Sequence, residues 1–240
     1  MKTPKNSESQ NSFLDLSETY SDNFVIVIGR KFGSGGRNIG KIISDSLGID
    51  YYDSEILSKA AQIEGIDPKV FKDHEEKKPS VLKTLLQGAY GIADNFHTVP
   101  LSSERIYRSQ CKVIKELCSK SSCVIVGRNA DYILRHHPRL LSVFLHSPES
   151  NRIKRILSRG EAKDESEAKE LARKHDRRRE SFYNFYTGEK LWGVASNYHL
   201  SLDTSNLEDS FIAGIIMAMA KTKFGLTGEK YNAEMRSVAQ

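Results

Sequence analysis

The residues best suited to chemistry in this 240-residue chain lie in one short segment, Gly29-Arg-Lys-Phe-Gly-Ser-Gly-Gly-Arg37. It follows an apolar, β-branched run, Phe24–Ile28, and precedes Arg37–Leu47, where Ile39, Ile42, Ile43 and Leu47 recur at helical spacing. A strand, a glycine turn and a helix start together make an anion cradle: successive backbone N–H groups point inward and the helix dipole adds positive potential. Gly33, Gly35 and Gly36 give the chain the freedom to approach a phosphate closely. A turn that serves only strand–helix packing is the alternative. The usual phosphate loop reads Gly-x-x-x-x-Gly-Lys-Ser/Thr. With Gly35 as its second glycine, Arg30 stands at the first, Gly36 at the lysine and Arg37 at the hydroxyl position. The backbone cradle is kept but the lysine is not, so Arg37, Arg30 or Lys31 has to supply the charge.

Three further constellations follow. Tyr51-Tyr-Asp-Ser54 puts Asp53 at the end of a second strand, where it can bind a sugar or base, act on an attacking group, or cap the next helix. Val126-Gly-Arg-Asn129 puts Arg128 just past a buried strand, placed either to fork onto a phosphate or to pair with a neighbouring carboxylate. In Arg173-Lys-His-Asp-Arg-Arg-Arg-Glu180, helical spacing lets Arg173, Arg177 and Arg179 face one anion while Asp176 orients them. A solvated charged face is the plainer reading. The aromatic segment Phe182–Tyr186 and Gly188 follow at once and read as a hinged flap.

The elements that must position these groups alternate. Strands are predicted at Phe24–Ile28, Ile49–Tyr52, Cys123–Val126, Leu141–Leu145 and Tyr198–Leu202. Helices are predicted at 37–47, 54–64, from Asp67-Pro68, at 81–94, 103–120, 148–158, 164–184 and 207–224. That alternation argues for βαβ units, a parallel sheet and helices on both faces, with the two glycine-stopped strands central and ending at one edge. Residues 1–22 read as a loose polar segment, 23–224 as one domain with a lid at about 160–190, and 225–240 as a tail.

Composition narrows the class. The 36 Lys+Arg against 31 Asp+Glu give a net charge of +5, and residues 151–180 alone hold eleven basic and seven acidic residues. Such a balance implies an anionic partner. Acidic residues interleave with the basic ones there, so nucleic acid is not the expected one. The longest apolar stretch, Phe211–Ala220, is broken by Gly214 and is too short to span a bilayer. No apolar signal core stands at the N-terminus, so the expected compartment is the cytoplasm. The three cysteines, Cys111, Cys118 and Cys123, have no metal-ligand spacing and read as free thiols, and no metal site is expected.

Taken together, Gly29–Arg37, Leu47–Asp53, Val124–Arg128, Asp176–Arg179, Phe182–Gly188 and Leu202-Asp-Thr-Ser205 resemble the cytidylate kinase-like family, over nearly all of residues 24–224. The resemblance implies an α/β P-loop kinase core with a five-stranded parallel sheet and a helical lid. It further implies ATP with Mg²⁺ and a nucleoside monophosphate acceptor of the CMP or dCMP kind. Lys31, Phe32, Gly33, Ser34, Gly35, Gly36 and Arg37 would hold the ATP phosphates, and Asp53, Arg128 and Asn129 the acceptor. Arg37, Arg173, Asp176, Arg177 and Arg179 would act on the transferring phosphoryl. Two positions depart from true cytidylate kinases: Gly36 stands at the loop lysine, and Asn129 at an aspartate that helps to recognise cytosine. A nucleotide-binding protein without catalysis and a kinase for another small acceptor therefore stay open.

Overall fold

The computed structural model describes residues 22–53, 103–188 and 190–226. The helices predicted at 54–64, after Asp67-Pro68 and at 81–94, and most of both terminal segments, lie outside them.

Five strands form one sheet: β1 (Val25–Arg30), β2 (Asp50–Tyr52), β3 (Cys123–Val126), β4 (Leu140–His146) and β5 (Leu200–Asp203), in the order β2-β3-β1-β4-β5. Every neighbouring pair is parallel. The helices are α1 (Gly36–Leu47), α2 (Ser103–Lys120), α3 (Ala130–Ile133), α4 (Glu149–Ser158), α5 (Glu165–Thr187) and α6 (Asp209–Phe224). A continuous apolar strand serves a sheet covered on both sides, because alternate side chains enter two different cores. Ile26 and Ile28 pack with Ile39 and Ile43 of α1 and Ile212 and Ile216 of α6. Val25 and Val27 pack on the other face with Ile114 and Cys118 of α2 and Ile133 of α3.

The strand pair inferred to be central is central. Val25 to Ile28 pair in register with Cys123 to Val126, and Gly127 N–H donates to Ile28 O at 3.0 Å. Both strands therefore end together, beside the point where the strand order reverses, which is where open α/β sheets bind ligands.

Element ends differ from the sequence reading in five instructive places. β1 runs on through Gly29 and Arg30, because β4 is long enough to pair with them at Phe144 and Leu145. β5 starts at Leu200, not Tyr198, since Ala195–Asn197 forms a 3-10 turn just before it. Pro148 and Glu208 are N-caps rather than helical residues. The segment 182–186 is not a hinged flap: α5 continues through it to Thr187. Its aromatic rings bind it to α2, with Tyr186 stacked on Tyr107 at 3.7 Å and Phe182 edge-on to the same ring.

Helices α4 and α5 share a small core of Ile156, Ala168 and Ala172, against which Phe32 of the glycine loop also packs. Cys111, Cys118 and Cys123 are free thiols. No helix among the described residues is long and apolar enough to cross a membrane.

Candidate active site

The glycine loop lies between the end of β1 and the start of α1, as its sequence requires. Gly33 (φ +80°) and Gly35 (φ +86°) hold left-handed backbone, and Gly35 caps α1. The loop is fastened from below. Ser34 is buried; its hydroxyl donates to Lys31 O at 2.8 Å and lies 3.1 Å from Leu145 O. Thr204 Oγ1, past the end of β5, donates to Ser34 O at 3.1 Å. Ser34 thus turns inward as a strut, and its side chain is not presented to a ligand.

A second fastening comes from α5. Phe32 N–H donates to Asp176 Oδ1 at 2.7 Å. Arg152 Nη1 donates to Asp176 Oδ2 at 2.7 Å and to Phe32 O at 3.1 Å. The Phe32 ring stacks on His175 at 4.3 Å with an interplanar angle of 7°. Burial first, then the nearby cations Arg179, Arg178, Lys174 and Arg30, push His175 down to about 4, so it is neutral where it stacks.

Above the loop is a cavity floored by Gly33–Gly36. Arg30, Lys31, Arg37, Arg128, Arg159, Arg178 and Arg179 line it, against a single carboxylate, Glu161, among the described residues. Arg128 is the buried member, 9% exposed, with a left-handed backbone at φ +64°. Asn129 follows at φ +53° and caps α3. Consecutive left-handed residues other than glycine cost free energy and tend to mark functional sites. Burial, with repulsion from Arg179 and Arg37 and opposed by Asp53, pushes the Arg128 guanidinium down to about 9, so it stays charged at neutral pH.

Asp53 directly follows β2 and pairs with Arg37 at 3.9 Å. Both line an open cleft with Asn38, Lys41, Tyr51 and Arg159, which shares Arg37 and Arg159 with the cavity. Asn129 is buried, and its Nδ2 finds no acceptor among the described residues.

The structure brings Lys31–Arg37, Arg128 and Arg179 to one cavity. Arg173 and Arg177 are not among its lining residues. Arg173 lies exposed beside Glu149 at 3.9 Å, and Arg177 is exposed on the same side of α5. Asp176 orients neither of them. Its partners are Phe32, Arg152 and, at 3.9 Å, Arg179. The sequence reading passed over Arg159, Arg178 and His175. One signal was available: Ala168, Ala172 and Tyr183 mark the buried stripe of α5, and the same helical stripe passes through Asp176 and Arg179.

A parallel sheet in this order, with a phosphate cradle after its central strand, defines a P-loop kinase core. The cytidylate kinase-like family matches residues 25–206, and the chain belongs to it. Among solved structures, an uncharacterised protein from Eubacterium ventriosum shares the fold, with a TM-score of 0.62 and 24% identity over 83% of this chain and 99% of that one. A shikimate kinase from Bacteroides thetaiotaomicron also aligns, with a TM-score of 0.47 and 12% identity over 85% of this chain and 99% of that one. A gluconokinase from Sinorhizobium meliloti gives 0.42 and 16%, over 84% and 91%. No curated protein matches the chain.

Proposed function

We propose that the chain transfers the γ-phosphoryl group of ATP to a nucleoside monophosphate of the CMP or dCMP kind. The observation that carries this reading is the charge of the cavity: among the described residues, seven cationic side chains and one carboxylate stand above a backbone phosphate cradle. A triphosphate alone does not require so many. A donor triphosphate and an acceptor phosphate, brought together, do.

The acceptor's chemistry points the same way. A monophosphate oxygen is already anionic near neutral pH, so its lone pair attacks phosphorus without a general base. The new P–O bond forms as the bond between the γ-phosphorus and the bridging oxygen breaks, its electron pair leaving on ADP. Arginines that draw the two anions together suit that step, whereas an alcohol acceptor would call for a carboxylate to take its proton.

The chain's own residues divide the work. Backbone N–H groups of Gly33–Gly36 hold the donor phosphates. Arg128, buried and rigid, orients the acceptor phosphate, and Asp53 across from Arg37 faces the acceptor's sugar or base. Arg178 and Arg179 reach over from α5 to the transferring group. The lining supports a triphosphate there: Gly33–Gly36 floor a cavity rimmed by cationic side chains, and on its other side the loop is packed so closely that a Cβ on Gly33 would meet Arg152 O at 2.9 Å. Mg²⁺ would be held by the nucleotide's phosphates and water, as it prefers, and would neutralise their charge.

Coupled detection of ADP with CMP, dCMP, UMP and AMP as acceptors tests this. The expected result is turnover with a cytidine nucleotide. ATP binding without turnover of any monophosphate would favour the reading that Gly36 suggests, a nucleotide-binding protein that does not catalyse.

A further inference from the structure

The cavity leaves one question open, namely which cation replaces the missing loop lysine. Arg30 is the last residue of β1, not a loop residue. The alternation that sends Ile26 and Ile28 toward α1 and α6 sends Arg30 the same way. Its stem therefore crosses the first turn of α1. A Cβ on Gly36 would lie 2.9 Å from Arg30 Cγ and 3.1 Å from its Cβ. The head group travels further, to the end of β3. A Cβ on Gly127 would lie 3.0 Å from Arg30 Cζ, with Nη1 closer still. The backbone on either side is held: Arg30 N and O belong to β1, and Arg179 Nη1 donates to Arg30 O at 3.3 Å.

We infer that Arg30 is the chain's substitute for the phosphate-loop lysine, delivering its guanidinium between the nucleotide cradle and Arg128, where the transferring phosphoryl must lie. This rests on the kinase reading above and deepens it. Gly36 is the complement of Arg30. The position that ordinarily bears the lysine is emptied because the arginine stem occupies its space, and Gly127, whose φ of +87° already favours glycine, leaves the space that the guanidinium occupies. The two changes are one exchange: a cation lost at the first residue of α1 is regained from the strand before the loop. A guanidinium also presents a planar fork where an ammonium presents a point, so Arg30 can bridge two phosphate oxygens, one from the donor and one from the acceptor.

The test uses the full chain with ATP and ADP as separate probes. Wild type is titrated with each, so that the ratio of the two dissociation constants reports contact with the γ-phosphate. Arg30→Met keeps the stem and removes the charge, and Arg30→Gly/Gly36→Lys rebuilds the ordinary loop pattern. The expected results are a loss of about tenfold or more in the preference for ATP over ADP in Arg30→Met, and its recovery in the double variant relative to Arg30→Gly alone. Gly36→Lys by itself should behave no better than Arg30→Gly, because the two side chains compete for one space. A thermal melt on each variant shows that it is folded. An unchanged ATP preference in Arg30→Met, or a double variant no better than Arg30→Gly, overturns the assignment while leaving the kinase reading intact. Failure of wild type to bind ATP at all overturns both.

Discussion

Asp176 accepts the backbone N–H of Phe32 at 2.7 Å across 144 residues of sequence, fastening the middle of α5 to the glycine loop. The same carboxylate holds Arg152, whose side chain is only 9% exposed. One acid therefore secures the loop, α4 and α5 at a single point, and the arginines that α5 brings over the cavity inherit their position from it.

Removing that carboxylate should be costly to the fold. Asp176→Ala leaves Arg152 buried without its partner and Phe32 N–H without its acceptor, a change expected to cost about 3–5 kcal/mol. Chemical denaturation measures it. Stability equal to wild type would mean that the loop is held elsewhere.

Arg173→Ala and Arg177→Ala should leave the melting temperature and turnover close to wild type, because both side chains are exposed and absent from the cavity lining. Arg179→Ala should lower turnover, since Arg179 lines the cavity. Steady-state kinetics on the three variants compares the two faces of α5. A large loss of kcat in Arg177→Ala would show that α5 presents its other face to the substrate.

The helix face is where the sequence was hardest to read. Spacing alone pairs Arg173 with Arg177 as readily as Asp176 with Arg179, and the choice is made by small residues one and two turns upstream, Ala168 and Ala172. The strands were far easier, because Phe24–Ile28 and Cys123–Val126 are apolar without interruption and each meets a glycine. The glycine loop was legible too, since a strand and a helix bracket it. What no local pattern carried was contact across long stretches of chain. The Asp176–Phe32 bond and the passage of Arg30 over Gly36 depend on how β1, β4 and α5 pack, and β1 gains its last two residues only from the length of β4.

Gly35→Val should abolish tight ATP binding. Its φ of +86° is strained for any side chain, costing about 1–3 kcal/mol, and a Cβ there would run into the Arg155 guanidinium and lie 2.9 Å from Asp209 Oδ1. Displacing that ion pair loosens α4 from α6 as well, so a fall in melting temperature should accompany the lost affinity. Titration with a fluorescent ATP analogue, paired with a thermal melt, checks both.

His175 should make stability depend on pH. Its folded pKa of about 4 lies below the ordinary 6.5, so between those values the unfolded chain binds more protons than the folded one. Stability from the neutral ring is complete above pH 6.5 and is lost as the pH falls toward 4. His175→Phe keeps the stack on Phe32 and takes up no proton, so its loss of stability over that window should be shallower than that of wild type. Melts at pH 7, 6, 5 and 4 give the comparison, and parallel curves would show that His175 does not contribute.

Asp53→Asn should raise KM for the monophosphate several-fold while ATP affinity holds, because Asp53 leaves a different strand from the loop and faces the adjoining cleft. Equal loss of both affinities would make it a structural cap.

Phosphorus NMR on the purified protein with ATP, Mg²⁺ and an equal mixture of CMP, dCMP, UMP and AMP follows the transferred group itself. The expected spectrum gains the two resonances of a cytidine diphosphate in step with ADP, and the γ-phosphate of ATP declines to match. A spectrum in which ATP persists, or decays only to orthophosphate, would contradict phosphoryl transfer to a nucleoside monophosphate.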